Sequence, residues 1–495
     1  MSDMNEYLQS ERAQEWRETL RRSMKNKDRT ALQRVKMPEV DPEVRSHTYD
    51  EVNIGLTEEM AVAESHRCLD CVTPTCITGC PVEINIPKFI KNIERGEYLE
   101  AARTLKETSA LPAVCGRVCP QERQCESKCF YTLKLGKEPL AIGYLERFAA
   151  DYERNSGKLS VPVPAPANHI KIAVVGSGPA GLSFAAEMVK LGYDVSVFEA
   201  LHELGGVLRY GIPEFRLPNE IVDVEIDGLK RMGVQFHTNC IVGKTISQED
   251  LKQAGYQGIF IGSGAGLPNF MNIPGENLIG VMSCNEYLTR VNLMQAADPE
   301  SDTPVYHGKN VAVIGGGNTA MDAVRTARRL GASTAMIVYR RSEQEMPARI
   351  EEVKHAKEEG IRFLTLHNPV RYEGDERGRV QKMLLQRMQL GEPDPSGRRR
   401  PIPVESDTVW VDVDEVIVSV GVSPNPLIPQ TFSGMEITSR GTIVVNDTTM
   451  QTADGMIFAG GDIVRGGATV ILAMGDGRKA AKAMDQYLKQ IPAGS

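Results

Sequence analysis

Two stretches of this chain constrain its fold more than anything else in it. IKIAVVGSGPAGLSFAAEMVKLGYDVSVFEA (170–200) and NVAVIGGGNTAMDAVRTARRLGASTAMIVYRR (310–341) each run from an apolar segment through a glycine turn into a helical pattern and back to an apolar segment. The opening runs are too apolar for surface strands and match parallel strands buried on both faces. Each helix carries one buried stripe, Leu182, Ala185, Ala186 and Val189 in the first and Ala320, Ala323, Val324 and Ala327 in the second. The chain is therefore expected to be α/β, with two Rossmann-like nucleotide-binding units. Its 495 residues exceed what one core supports, so about two to four domains are expected.

In the first unit Gly176, Gly178 and Gly181 stand as GxGxxG. The first glycine permits the tight turn, the second lets a pyrophosphate approach, and the third brings helix against strand. The phosphate charge would sit at the helix amino terminus. Glu199 ends the next strand, where an acid accepts hydrogen bonds from ribose hydroxyls. In the second unit Gly315, Gly316 and Gly317 precede Asn318, and Ala320 replaces the third glycine. Here the strand ends in Arg340 and Arg341, whose guanidiniums suit a 2′-phosphate and hence NADPH. The plainer alternatives are a structural glycine turn and two solvated arginines. A third stretch, MIFAGGDIVRGGATVILAMGDGRKAA (456–481), places Gly461 and Asp462 in a glycine turn before a second turn that opens a helix. An acid there could hold flavin ribityl hydroxyls, with the helix amino terminus toward the ring's electron-rich side; alone, Asp462 reads as a turn residue or helix cap.

Eight of the ten cysteines fall between Cys68 and Cys129, as CxxCxxxxCxxxCP (68–81) and CxxxCxxxxxCxxxC (115–129). Zinc would want four tetrahedral thiolates, a redox dithiol would sit more naturally in a nucleotide-binding domain, and iron–sulfur clusters take closely spaced runs ending in Cys-Pro. Clusters explain most beside two nucleotide sites: NADPH releases two electrons at once, clusters take one at a time, and a flavin does both.

The formal charge of −8 offers no general attraction to nucleic acid or anionic lipid, so neither is an expected partner. No apolar run is long enough to span a membrane, and MSDMNEYLQSERAQEWRETL lacks the apolar stretch of a secretory signal, so a cytoplasmic location is expected. Residues 1 to about 45 read as solvated helix and coil, with RRSMKNKDR too polar to bury. IPKFIKNIERGEYLEAARTLKET (86–108) has helical spacing and suggests a compact helical domain around the cysteines. NSGKLSVPVPAPANH then reads as an extended linker, with a boundary near residue 160.

The glycine unit at 176–181, GGVLRYGIPEFRLP (205–218), GGGNTAMDA, VYRRSEQEMPA and AGGDIVRGGATV, in this order, resemble the pyridine nucleotide:disulfide oxidoreductase fold of the glutamate synthase small (β) subunit family. That family includes the large subunit of NADH-dependent ferredoxin:NADP oxidoreductase and the amino-terminal half of dihydropyrimidine dehydrogenase, and the resemblance runs from about Val40 to the carboxyl end. It implies a helical iron–sulfur domain of the dihydropyrimidine dehydrogenase domain II type over 1–160, an FAD domain in two parts (165–300 and 425–495), and an NADPH domain (301–424) inserted between them. It further implies that Ser177, Pro179, Ala180, Gly206 and Arg216 line FAD, that Val470 meets the flavin ring, and that Thr319 and Ser342 join the NADPH site. Two 4Fe–4S clusters are implied, one on Cys68, Cys71, Cys76 and Cys129, the other on Cys80, Cys119, Cys125 and Glu146. Cys115 has no ligand role in that arrangement.

The resemblance implies an NADPH-dependent oxidoreductase that needs no catalytic acid, base or nucleophile at the hydride step, so no catalytic side chain is assigned. The chain begins MSDMNEY, without the amino-terminal cysteine of an amidotransferase, and has no residues left for an FMN barrel of about 250 residues. A glutamate synthase α-like large subunit would then have to supply both, and an oligomer is expected. The rival reading is an NADP(H):ferredoxin oxidoreductase large subunit, bifurcating or not, working with a small flavoprotein or ferredoxin. A non-enzymatic interaction subunit fits poorly with two intact nucleotide fingerprints. A thioredoxin-reductase-like enzyme fits poorly with the lack of any CxxC after residue 71.

Overall fold

The fold was obtained as a computed structural model that describes residues 2–395 and 397–490, with side chains from residue 5 onward. Its strands, in chain order, are β1 (Lys171–Val175), β2 (Asp194–Phe198), β3 (Gln235–His237), β4 (Tyr256–Ile261), β5 (Leu267–Pro268), β6 (Val281–Ser283), β7 (Asn310–Ile314), β8 (Thr334–Tyr339), β9 (Arg362–Thr365), β10 (His367–Gly374), β11 (Val380–Pro393), β12 (Arg399–Asp412), β13 (Glu415–Val418), β14 (Val422–Ser423) and β15 (Ile457–Ala459). They form two five-stranded parallel sheets, ordered β15-β4-β1-β2-β3 and β6-β13-β7-β8-β9, with an antiparallel meander β10-β11-β12 and a short ribbon β5·β14. The first sheet thus takes its last strand from residues 457–459, after the second sheet is finished. Strand β6, within the stretch 165–300 expected to belong with FAD, pairs with β13 in the second sheet. Its Val-Met-Ser sequence has no feature that tells one parallel sheet from another.

Each glycine turn leaves a central strand, β1 between β4 and β2, β7 between β13 and β8, so both turns open at crevices where the strand order reverses. Beyond Lys171, β1 is buried to its end, as a parallel strand covered on both faces must be. Helix Pro179–Lys190 starts with proline at its first position, where no backbone donor is needed. It packs so closely on helix Val470–Leu488 that a Cβ at Gly477 would lie 2.3 Å from the Ala180 carbonyl oxygen.

The amino-terminal region is helical, with Ile86–Glu94, Tyr98–Lys106, Pro112–Val118 and Ile142–Asn155 around the cysteines. Its core is continuous with that of the first sheet: Phe89, Ile93, Leu105, Leu145, Phe184 and Met474 belong to one buried cluster. Residues 156–168 run without regular structure, and Val163 is 91% exposed, as a linker would be. No helix among the described residues is long and apolar enough to cross a membrane.

The expectation that RRSMKNKDR stays in solvent fails at Arg29, which is fully buried. Its guanidinium pairs with Glu94 at 2.8 Å and donates to the carbonyls of Leu20 and His66, so the charge is neutralised and hydrogen-bonded before it is buried. Arg17 is buried in the same way on Asp70. Further along, residues 45–52 thread between the two sheets. Arg45 contacts Glu39, Glu358 and Glu359, the Thr48 carbonyl accepts from Arg329, and Val52 N–H donates to the Phe215 carbonyl. Arg325 and Arg329 both bond Glu359 and both lie over the Phe215 ring. Arg325 also pairs with Glu352, which contacts Arg216 at 3.1 Å. This buried lattice ties the amino-terminal segment, the loop after β2 and the second sheet's helices into one body.

Burial alone would raise the Glu359 pKa, but Arg325 and Arg329 override it and hold the group at about 2 against an ordinary 4.5. Because the fold favours the ionised form, the stability this confers is fully present above pH 4.5. It is lost as pH falls from there toward 2, amounting to about 3 kcal/mol for a shift of this size. Replacing Glu359 with Gln is expected to cost about 3–5 kcal/mol at pH 7 by taking the shared carboxylate from three buried arginines, Arg45, Arg325 and Arg329. Urea denaturation of both proteins at pH 7 and pH 4 checks this: the gap between them should narrow at the lower pH, and a constant gap would exclude the charge as its origin.

Candidate nucleotide and iron–sulfur site

A cleft of about 2150 Å³ runs between the two sheets. Of the residues expected to bind cofactor, Gly176, Gly178, Pro179, Ala180, Glu199, Gly206, Arg216, Gly461, Asp462 and Val470 line it on one side, and Gly315, Gly317, Asn318, Thr319, Arg340 and Arg341 on the other. Ser177, Gly181, Ala320 and Ser342 do not reach its surface.

The two glycine turns repeat one geometry. Gly176 has a positive φ of 96°, and a Cβ there would lie 2.7 Å from the Gly262 carbonyl oxygen; at Gly315 it would lie 2.3 Å from that of Ser419. Only glycine fits either place. At Gly178 and Gly317, by contrast, a Cβ would meet nothing within 4 Å. These two positions face open space, which suits the close approach of a pyrophosphate to the backbone and to the helix amino terminus behind it. Gly181 is the contact glycine, where a Cβ would sit 2.0 Å from the Gly176 carbonyl oxygen.

Glu199 is buried and aimed by its neighbours. One carboxylate oxygen accepts from the Ser177 N–H (2.8 Å) and hydroxyl (2.6 Å), the other from the Leu201 N–H (2.9 Å). Ser177, whose hydroxyl also accepts from the Gly205 N–H at 3.0 Å, therefore supports the acid from beneath instead of lining the cleft. Burial pushes Asp462 up to about 6, against the opposing effect of its hydrogen bond from Ala468 N–H. Beside it, helix Val470–Leu488 presents its amino terminus to the cleft, capped by the Thr469 hydroxyl. This end offers a positive partial charge for electron-rich ring atoms.

Arg216 lines the cleft, but its guanidinium is engaged: Nη1 reaches both Asp322 oxygens at 2.8 and 2.7 Å. Asp322 lies on helix Asn318–Arg329, so Arg216 joins the two nucleotide units. Arg341 is likewise held, to Asp394 at 3.0 Å and to the Arg399 carbonyl at 2.8 Å. Arg340 is exposed beside it. The Ser342 hydroxyl donates to Glu345.

All ten cysteines are free thiols. Those of the amino-terminal region form two groups. Burial raises Cys76 most, followed by the nearby Cys68, Cys129 and Cys71. For Cys125 burial again leads, with Glu126, Cys80, Glu146 and Cys119 adding to it. Burial likewise takes Cys68 and Cys80 up to about 12. Such thiols give up their protons only to a group that stabilises thiolate strongly, as iron does. Glu146 stands inside the second group, raised by burial to about 8, and its Oε1 is buried without a hydrogen-bond partner. An orphaned carboxylate oxygen near Cys80, Cys119 and Cys125 fits a metal ligand. Cys115 lies beside Cys119, with its sulfur 3.5 Å from that of Met474.

Sequence reasoning missed that the cysteine domain forms part of the cleft wall. Val118, Pro120, Arg123 and Gln124 line it, and Gln124 donates to the Thr469 hydroxyl at 3.4 Å. Arg123 donates to the carbonyls of Met346, Pro347 and Ala348, and Arg349 donates to that of Arg117. No local signal marks these residues, since their partners lie more than 200 positions away.

Both regions have counterparts among known proteins. Residues 45–158 match the family described as dihydropyrimidine dehydrogenase domain II, 4Fe-4S cluster, and residues 170–483 match pyridine nucleotide-disulphide oxidoreductase. The chain is 36% identical over 476 residues to the glutamate synthase [NADPH] small chain of Halomonas elongata, covering 94% of this chain and all of that one. It is 38% identical over 444 residues to the NADP(+)-dependent formate dehydrogenase subunit beta of Moorella thermoacetica, covering 85% of this chain and 60% of that longer one. Among solved structures, FprA of Mycobacterium tuberculosis in complex with NADPH superposes with a TM-score of 0.55 at 19% identity, covering 65% of this chain and 85% of that one, which shows a shared fold.

The glycine geometry separates binding from folding. Gly178→Ala places a methyl in open space at an ordinary φ of −70°, so the protein is expected to keep its thermal midpoint while losing flavin at least tenfold in affinity. Gly181→Ala drives its methyl into backbone and is expected to lower the midpoint or abolish soluble expression. Flavin absorbance and thermal unfolding of the two variants provide the check. Full flavin retention in Gly178→Ala would remove this turn from the binding site.

Proposed function

Because the chain belongs to the pyridine nucleotide–disulphide oxidoreductase family and, within it, to that of the glutamate synthase small chains, we propose that it is an NADPH-oxidising electron-transfer flavoprotein with two 4Fe–4S clusters. In this reading its electrons pass to a large subunit that makes glutamate from glutamine and 2-oxoglutarate. The observation that carries the proposal is the shared cleft: both glycine turns and the Val118–Gln124 edge of the cysteine domain open onto one volume. When bound, FAD would supply the exchange between two-electron nicotinamide chemistry and the single electrons that clusters carry.

The chain's own residues bind, orient and insulate. Gly178 and Gly317 leave room for pyrophosphates at two helix amino termini, and Glu199 is held by Ser177 to receive ribose hydroxyls. Arg340 and Arg341 form the nucleotide-selecting end of β8. Cys68, Cys71, Cys76 and Cys129 would hold one cluster, and Cys80, Cys119, Cys125 and Glu146 the other, with the second set the more deeply buried. Positioning suffices for hydride transfer, and no side chain acts as acid, base or nucleophile. A second reading, an NADP(H):ferredoxin oxidoreductase large subunit, is supported by the differently named relatives, which include an NADPH-Fe(3+) oxidoreductase subunit beta from Geobacter sulfurreducens.

Protein prepared without oxygen is expected to contain one FAD and about eight iron and eight sulfide per chain. Cys76→Ser and Cys125→Ser should each remove about half of that iron, since they fall in different groups. Metal and sulfide analysis with NADPH-reduction spectra checks both. Iron-free, flavin-replete protein would overturn the electron path, whereas loss of all iron from either variant would overturn the two-group assignment. Glutamate formation on adding a glutamate synthase large subunit, against reduction of ferredoxin without one, separates the two readings.

A further inference from the structure

We infer that the nucleotide's 2′-phosphate subsite is closed by the β11–β12 hairpin, with Arg340 and Arg400 as its contacting guanidiniums and Arg341 as a positioning residue that pins the hairpin. The inference rests on the NADPH reading and names the residues that would select that nucleotide over NADH.

The adjacent arginines at the end of β8 are not equivalent. Arg341 is 7% exposed and spends its Nε on the Arg399 carbonyl and its Nη2 on Asp394, both on the hairpin. Arg340 is exposed and makes no ion pair among the described residues. A guanidinium already bonded along two sides cannot also present a fork to phosphate without giving up those bonds.

A second latch supports the same placement. Arg399 donates from Nε to Glu345 at 2.8 Å, and the same Glu345 accepts from the Ser342 hydroxyl. The hairpin turn is closed at its base by the Asp394 N–H to the Arg398 carbonyl, at 2.8 Å. With Arg399 turned toward Glu345, the next residue, Arg400, lines an open recess of about 800 Å³ together with Arg340 and Arg341. The recess adjoins the main cleft, because Arg340 and Arg341 line both. Glu392 and Asp394 are also on its wall, and Arg341 neutralises the latter. A phosphate monoester, carrying close to two negative charges at neutral pH, suits a recess walled by one arginine from a strand end and another from a hairpin. NADH has no group to place there.

The test uses the full-length, cofactor-replete protein with NADPH, NADH, and adenosine 2′,5′-bisphosphate against ADP as competing probes. Arg340→Ala and Arg400→Ala are each expected to raise the NADPH KM and the bisphosphate Kd about tenfold, with the NADH KM moving less than about twofold. Arg400→Lys should recover part of the loss. Asp394→Asn distinguishes the role of Arg341. If Arg341 positions the hairpin, loosening it raises the NADPH KM and leaves kcat in place; if Arg341 itself grips phosphate, freeing it lowers that KM and overturns its assignment. A wild-type protein with no preference for NADPH over NADH would defeat the parent reading and this one together. A preference that survives intact in Arg400→Ala would defeat this inference alone.

Discussion

Close contact along one helix makes the rest of the architecture possible. Val470–Leu488 lies against the first nucleotide helix at Gly477 and against the cysteine domain at Gly475, where a Cβ would stand 2.9 Å from the Pro81 carbonyl oxygen. Pro81 is the proline that follows the fourth cysteine of the first run. Its neighbour Met474 touches the Cys115 sulfur and accepts a hydrogen bond from Ser183 through its carbonyl, while Thr469 and Val470 reach the cleft. One element therefore contacts the cleft, the glycine-turn helix and the thiol cluster. Larger side chains at its two glycines would push these layers apart.

Charge buried in pairs does the corresponding work for the second sheet. Arg45, Arg216, Arg325 and Arg329 share Glu39, Asp322, Glu352, Glu358 and Glu359 among three segments that meet nowhere in sequence. An apolar interface of similar volume would hold the segments as firmly. What the ionic one adds is a set of specific pairings, each guanidinium meeting particular carboxylates. Arg123 and Arg349 extend the tie from the cysteine domain to the loop after β8. The second sheet's unit is thereby held against the wall that carries Cys119 and Cys125.

Local features were legible from sequence in proportion to how local their causes are. Gly176, Gly178 and Gly181 announce a turn because their backbone demands are met within a few residues, and the structure places them as expected. The cysteine runs announce metal because a CxxC spacing already brings two sulfurs together. Arg29 was misjudged, since its partner Glu94 lies 65 positions on and only a folded chain turns a polar segment into a satisfied buried one. Glu146 reads as an ordinary helix-face charge until the burial around it is known.

Thus the order of strand, glycine turn, helix and terminal acid or arginine was enough to determine two nucleotide-binding units, and the cysteine spacing an iron–sulfur region. Which sheet β6 joins, which thiols gather with Glu146, that Arg341 is tied to Asp394 while Arg340 is exposed, and that the cysteine domain walls the nucleotide cleft were decided by tertiary structure alone. The physical reason is range. Backbone conformation and metal-ligand spacing are set over a few residues, whereas burial and ion pairing depend on groups that reach one another only after the chain has folded.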